Sequence, residues 1–187
     1  MRKTSNALLL AAVAIMIATA PAAAADKPKS RQNIEAAIEV RAGKLYDYVL
    51  IGMHRDATDG FDNAYDTVTP GVGVGNQYIL SVIPHSDWNT VKTDFRTDFR
   101  AMKSHDAWDV LITTNLAAGT PLTVAIDQEQ SKIPEGCAVR IEDMSTGAVQ
   151  DLERGAYVFP VKASGLAQQF RISIARQAGS HKHHDRD

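Results

Sequence analysis

Four aspartates lie within eleven residues and form the first candidate group of chemically active side chains. Asp56, Asp59, Asp62 and Asp66 belong to the stretch Asp-Ala-Thr-Asp-Gly-Phe-Asp-Asn-Ala-Tyr-Asp, named here the aspartate loop. Carboxylate oxygens are the ligands that calcium prefers, and calcium takes about six to eight of them. The spacing is not that of an EF-hand, but the loop could still supply oxygen ligands to a Ca²⁺ ion.

The same loop has a second interpretation that needs no metal. Aspartates in turns accept hydrogen bonds from nearby backbone N–H groups, and Gly60 can adopt a positive φ. We favour this interpretation, in which Asp59 and Asp62 bond backbone amides across the turn. Phe61 and Tyr65 would then pack the loop onto the rest of the domain.

Three histidines near the C-terminus form the second candidate metal site. His181, His183 and His184 are close enough in sequence to hold Zn²⁺, Cu²⁺ or Ni²⁺. Residues 176–187 are polar and have nothing to bury, which is typical of a disordered tail. Ordering such a tail around a metal costs conformational entropy, so we expect modest affinity and favour a plain polar tail.

Nucleophilic catalysis has two weak candidates in this sequence. Ser86 is flanked by His85 and Asp87, and His54 is two residues from Asp56. Adjacent residues seldom point at one centre, and the sequence contains neither G-x-S-x-G nor H-E-x-x-H. We therefore predict that the protein is not an enzyme.

Two tryptophans and one cysteine have simpler structural interpretations. Trp88 and Trp108 could form a platform for sugar stacking, but we favour one ring in the core and one in a loop. Cys137 is the only cysteine, so it has no partner for an intramolecular disulfide. We expect it to be a small buried hydrophobe, and the alternative is a disulfide between two chains.

The first 25 residues have the features of a secretory signal peptide. Arg2 and Lys3 precede an apolar run at residues 7–18, and Pro21 and four alanines follow it. The apolar run is shorter than the roughly 20 residues of a membrane span, so a retained anchor is the less favoured alternative. We predict cleavage after Ala25 and a periplasmic or extracellular location.

The mature chain has the size and charge of one mildly acidic domain. Removing residues 1–25 leaves 162 residues with 18 basic and 22 acidic side chains, a formal net charge of −4. Such a charge gives no electrostatic basis for binding nucleic acid or an anionic membrane surface. We also see no later apolar stretch long enough to span a bilayer.

Short alternating segments predict an all-β domain over residues 34–175, after a polar leader at 26–33. Residues 34–41 also fit a helical stripe, and we favour a strand for their second half. In residues 91–100 the alternation places Phe95 and Phe99 inward and the charged side chains outward in solvent. The predicted strands cover residues 38–41, 45–53, 77–83, 91–100, 107–113, 122–126, 138–143, 149–152, 156–161 and 169–174.

These strands and their turns predict an antiparallel sandwich or barrel of about eight to ten strands. We expect Val124, Phe170 and Ile172 in its core and Gly147 at a left-handed hairpin position. Pro160 indicates the edge or the end of a strand.

The order of motifs resembles the immunoglobulin-like or fibronectin-type-III-like β-sandwich modules of secreted bacterial proteins. The resemblance covers residues 34–174, and its most specific part is an Ile-Gly-Met strand that runs into the aspartate loop. The later motifs are Asp98-Phe-Arg100, Trp108 in a strand, Leu122-Thr-Val124, Ile133-Pro-Glu-Gly136, Asp143-Met-Ser-Thr-Gly147, Tyr157-Val-Phe159 and Phe170-Arg-Ile-Ser-Ile174. The proline-rich run that often follows the loop in those modules is replaced here by glycines at 71–75.

The resemblance implies an immunoglobulin-like sandwich and brings no catalytic residues with it. It implies a non-catalytic binding or structural module that engages another secreted or envelope protein. The alternative function is a small metal or ligand carrier that uses the aspartate loop, the histidine tail or both.

Overall fold

The computed structural model describes residues 32–72 and 75–176. The predicted signal peptide, most of the polar leader and the three tail histidines lie outside these ranges. The described residues form an all-β fold, which confirms the predicted class. The strands are β1 (Ile34–Ala42), β2 (Leu45–His54), β3 (Thr67–Val68), β4 (Ile79–Pro84), β5 (Asp94–Ala101), β6 (His105–Thr114), β7 (Pro121–Ile126), β8 (Cys137–Asp143), β9 (Val149–Asp151), β10 (Tyr157–Pro160) and β11 (Gln168–Arg176).

Alternation of apolar and polar residues explains most of these strands. In β6, Trp108, Val110 and Ile112 are buried, and the residues between them are partly exposed. Because successive side chains of a strand point to opposite faces, this pattern fixes which face packs inward. Residues 34–41, which also fitted a helix, lie within β1 along their whole length.

The strands follow one continuous hydrogen-bonded path. Its order is β10-β7-β1-β2-β5-β4-β6-β11-β8-β9, and β3 also pairs with β5. Residues 32–72 and 75–176 therefore form eleven strands, against the predicted eight to ten. The fully antiparallel prediction is wrong at one pair, because β2 and β5 run parallel from Leu50–Thr97 to His54–Ala101. Parallel neighbours need a crossover, and the long connection through β3 and β4 supplies it.

One apolar cluster contains buried side chains from each strand of this path from β10 to β8. It includes Ile38 and Val124 from β1 and β7, and Phe170 and Ile172 from β11. Trp108 is the largest of the fully buried side chains. The predicted core positions of Val124, Phe170 and Ile172 are thus confirmed, with exposures of 0%, 0% and 1%.

The predicted turns agree with the structure at the β8–β9 hairpin and at β10. Gly147 has a φ of 72° in that hairpin, which is the left-handed conformation that glycine adopts most easily. Pro160 ends β10, a strand at one edge of the sheet path. Both predictions are confirmed.

Strand β5 differs most from its prediction. It begins at Asp94, and Val91 is 99% exposed in the preceding loop. The alternating charges of this segment do not all face solvent, since Asp98 is 0% exposed. β5 lies between β2 and β4. His85, in the connection at residues 85–93, bonds the Asp98 side chain, and Asp66, in the connection at residues 55–66, bonds the Phe99 backbone. Local alternation could not reveal this cover, which comes from segments distant in sequence.

Candidate functional site

A groove of about 650 Å³ crosses the outer face of β6, β11 and β8 and continues to the end of β4. Its volume falls within the range of about 300–1,000 Å³ that is usual for ligand sites. The side chains on which its chemistry depends are His85, Arg100, His105, Ala107, Asp109, Arg140, Glu142, Arg171 and Ser173.

The floor of the groove is formed by small side chains between long ones. Ala107 pairs with Ser173, and Ser173 pairs with Arg140 on the next strand. Strand alternation turns Trp108 and Ile172 into the core, so their neighbours face outward. The side chains of Ala107 and Ser173 are short, so they leave a depression beside the long side chain of Arg140.

One wall of the groove carries a row of alternating charges. Arg171 lies directly between Asp109 on β6 and Glu142 on β8 in the strand register. The Nε of Arg171 donates to Asp109 Oδ1 at 2.9 Å. The hydrogen bond and charge of Asp109 raise the pKa of the Arg171 guanidinium. This arginine is therefore already neutralised by the protein.

Arg140 differs from the other two arginines of the groove. It is exposed, and no ion pair joins it to an acidic side chain within residues 32–72 and 75–176. The residue opposite Arg140 on β9 is Asp151. The Asp151 carboxylate lies 3.6 Å from the Arg154 side chain and forms its ion pair there, not with Arg140. Arg140 thus presents a positive charge to the groove.

A buried chain of polar side chains supports the opposite wall. His85 Nε2 lies 2.8 Å from Asp98 Oδ2, and Arg100 Nη2 donates to the same oxygen at 2.9 Å. Arg100 Nη1 also donates to Asp106 Oδ1 at 3.1 Å and to the Ala107 carbonyl at 2.8 Å. These bonds fix the arginine beside the groove floor.

Aromatic rings pack on both ends of this polar chain. The His85 ring stacks on Trp88 with centroids 3.5 Å apart and an angle of 7°. The Arg100 guanidinium lies over Trp108 at 5.0 Å. Burial acts to lower the pKa of Arg100, but the bonds and charges of Asp98 and Asp106 raise it overall. Arg100 is therefore a permanent cation in a rigid position.

The polar chain continues to the aspartate loop. Lys103 Nζ lies 3.1 Å from Asp106 Oδ2 and 2.9 Å from Asp59 Oδ1. Asp59 also accepts a 3.3 Å hydrogen bond from the backbone N–H of Ala101. The prediction that Asp59 bonds an amide across its own turn is wrong, because the residue reaches the end of β5 instead.

Asp62 and Asp66 hold the aspartate loop together. Asp62 Oδ1 accepts from the N–H of Ala64 at 3.0 Å, as the turn interpretation predicted. Asp66 accepts from the N–H of Asp62 at 2.6 Å and from the N–H of Phe99 at 3.1 Å. These bonds join the loop to β5, and Asp66 was not expected to make them.

Gly60 does not have the predicted conformation. The described glycines with positive φ do not include it, and a Cβ added there would meet no atom within 4 Å. The loop reverses direction through hydrogen bonds to Asp62 and Asp66, so it needs no left-handed residue at this point. Its aromatic contacts do follow the prediction: Phe61 packs against Trp88 and Phe95, and Tyr65 packs against His54.

Burial perturbs one carboxyl group of the loop. Burial of Asp66, together with the nearby charges of Asp98 and Asp62, raises its pKa from 3.8 to about 6. The two backbone N–H donors act in the opposite direction but do not cancel the effect. Asp66 thus changes protonation state in a pH range where most carboxyl groups are ionised.

The four aspartates of the candidate calcium site are not brought together around one point. Asp56 is 70% exposed, and Asp59 is held by Lys103. Across the described ranges, no three His, Cys, Asp or Glu side chains are arranged to hold a metal ion. Calcium binding is thus a prediction for experiment. The histidine site at residues 181, 183 and 184 lies outside the described residues.

The two candidate catalytic groups are not assembled as nucleophile and base. Both ring nitrogens of His85 face carboxylates, Asp87 at 3.3 Å and Asp98 at 2.8 Å. Ser86 is exposed, and it makes no hydrogen bond to His85 in this part of the structure. His54 Nδ1 accepts from the backbone N–H of Asp56 at 3.2 Å, which leaves that nitrogen occupied.

The tryptophans and the cysteine are buried. Trp88 and Trp108 are 8% and 0% exposed, so neither ring offers an open face for sugar stacking. Trp88 lies in a loop, as predicted, but also joins the core. Cys137 is buried, as expected for a small hydrophobe, and burial raises the pKa of its thiol.

Sequence reasoning missed the groove because its residues are separated along the chain. Arg140, Ser173 and Ala107 are outward positions of three strands that alternate normally, and only the strand register joins them. A small residue at an outward position between large ones is the one local signal of a depression. Without the strand pairing, that signal is not specific.

Neither a protein-family model, nor a curated protein, nor a solved structure matches this chain. The immunoglobulin-like or fibronectin-type-III-like assignment is therefore a prediction. Among the residues described, no helix has both the length and the apolar character needed to cross a membrane.

Proposed function

We propose that this chain is a non-catalytic, secreted binding module that engages another secreted or envelope protein through the groove. The observation that carries the proposal is a concave, charged face built on three paired strands. Sites on regular strands hold their side chains more rigidly than sites on loops. The groove is therefore suited to recognition by shape and charge.

The electrostatics of the groove support a polar partner surface. Arg171 and Asp109 form one ion pair at the wall, and Arg100 is neutralised by buried carboxylates. The remaining exposed charges include Arg140, which can meet an opposite charge on a partner. Complementary charges of this kind contribute mainly to specificity and to the rate of association.

Filling the groove tests the proposal. Ala107→Trp places a large ring on the floor, and Ala125→Trp is the matched control at an outward position of β7. Each variant of the mature chain is immobilised and exposed to the native envelope and secreted fractions. We expect at least one protein to be captured by wild type and by Ala125→Trp but not by Ala107→Trp. Circular dichroism and thermal melting verify that each variant is folded.

Equal capture by all three folded proteins would refute the groove as the docking surface. Capture by none of them would argue against a stable partner in those fractions. Loss of the partner by both tryptophan variants would also contradict docking in the groove, because Ala125 does not line it.

A further inference from the structure

We propose that the corner of the groove formed by Arg140 and Ser173 binds an acidic side chain of an extended partner segment. This inference rests on the proposed function, because it names the chemistry that the groove recognises. It follows from the arrangement of charges, the strand register and the size of the floor residues.

The first step is the distribution of charge among the arginines. Arg100 donates to Asp98 and Asp106, and Arg171 donates to Asp109. Arg140 has no such partner among the described acidic residues, although it lies in the same groove. A guanidinium presents several donors in a plane that matches a carboxylate, so a carboxylate is its natural ligand.

The second step is the space beside Arg140. Ser173 is directly opposite it in the register, and Ala107 follows on the next strand. These short side chains leave room for a ligand against the sheet. The Ser173 hydroxyl makes no hydrogen bond to another described residue, so it can donate to the same carboxylate.

The third step is the order of positive and negative side chains along β8. Glu142 lies two residues from Arg140 on the same face, and Asp109 extends the acidic row beyond Arg171. Residues two apart in a strand are separated by roughly 7 Å. An extended segment that carries an acidic and then a basic side chain at that spacing would match Arg140 and Glu142.

Two short probes test this inference by nuclear magnetic resonance. The probes are Ac-Thr-Glu-Thr-Lys-Thr-NH₂ and the same peptide with glutamine in place of glutamate. We expect the first to shift the amide signals of Ala107, Ser173 and Arg140 and to saturate in the millimolar range. The glutamine probe should bind about fivefold more weakly, which is the upper end for an exposed ion pair.

Two arginine variants locate the effect. Arg140→Gln should reduce the affinity for the glutamate probe to that for the glutamine probe. Arg55→Gln is the matched control, because Arg55 is an exposed arginine that forms no ion pair within the described ranges and does not line the groove. It should leave the affinity unchanged.

The inference is overturned if the two probes bind equally, if neither binds, or if the shifts lie away from the floor. It is also overturned if Arg140→Gln has no effect. Should Ala107→Trp abolish partner capture while the probes do not differ, only the carboxylate assignment fails. Should the probes differ while Ala107→Trp leaves capture intact, the proposed function fails instead.

Discussion

Asp98 shows how the environment of one residue decides its role. The sequence places it among alternating charges, but its carboxylate is fully buried between His85 and Arg100. Removing one partner from a buried ion pair leaves the other charge uncompensated, which is more harmful than losing a surface pair. Asp98 therefore stabilises the wall of the groove from within.

Replacing Asp98 with alanine should destabilise the protein strongly. We expect a loss of about 3–5 kcal/mol in the free energy of unfolding, because Arg100 keeps its charge without its main acceptor. Denaturant unfolding of the mature chain measures the loss. Asp109→Asn removes a carboxylate from an exposed pair and should have a much smaller effect. Similar losses in the two variants would contradict the role assigned to Asp98.

Asp66 should make the stability depend on pH. Its pKa is about 6 in the folded protein and 3.8 without the fold's influence, so the folded state binds more protons between those values. The stabilisation is complete below about pH 4 and is lost as the pH rises through about 6. We expect a fall of about 1–2 kcal/mol, since nearby solvent screens part of the effect.

Thermal or denaturant unfolding between pH 4 and pH 7 measures this slope. Asp66→Asn cannot ionise and should flatten the dependence, although its single amide oxygen can serve only one of the two N–H donors. Asp56→Asn, at an exposed position of the same loop, is the control and should keep the slope. An unchanged slope in Asp66→Asn would assign the pH dependence to other groups.

At the scale of elements, the close packing of β1, β2 and β5 depends on one glycine in β2. Gly52 pairs with Glu35 on one side and with Phe99 on the other. A Cβ at this position would lie 2.0 Å from the Ile34 carbonyl oxygen and 2.8 Å from Phe99 Cε1. The backbone of β1 cannot move without disturbing its own pairing.

Gly52→Ala should therefore destabilise the sheet, even though alanine is a small residue. Overpacking of this kind usually costs about 1–3 kcal/mol, and a contact with backbone favours the upper end. Gly71→Ala is the control, because a Cβ there meets no atom within 4 Å. The melting temperatures of the two variants compare them. Equal melting temperatures would show that β1 and β2 are less closely spaced than described.

The elements also show how far sequence reasoning reaches. Alternation alone predicts Ile172, Phe170 and Val124 in the core, since burial on one face imposes a period of two. The parallel pairing of β2 with β5 could not be predicted, because pairing depends on which distant strands meet. The same limit explains Asp98: its cover comes from His85, in a loop that local patterns do not place.

At the scale of the whole molecule, the aspartate loop and the groove belong to one connected structure. Asp59, Lys103, Asp106 and Arg100 form a continuous series of ion pairs from the loop to the groove wall. The loop thus helps to position the wall. Its charge pattern alone allowed either a cation site or the turn without metal that we favour, and the β5 backbone groups that its carboxylates reach indicate a structural role.

Calcium should have little effect on the stability of the whole domain. Asp62 and Asp66 already accept backbone hydrogen bonds, and Asp59 is paired with Lys103, so a cation would have to displace these bonds. Asp62→Asn should cost about 0.5–1.5 kcal/mol, since an amide oxygen can still accept from Ala64. Thermal melts of wild type and Asp62→Asn, with chelator and with millimolar calcium, measure both effects. A ligand bound only to the folded state raises the melting temperature with its concentration. A calcium-dependent rise in wild type that Asp62→Asn abolishes would establish the loop as a cation site and favour the carrier function.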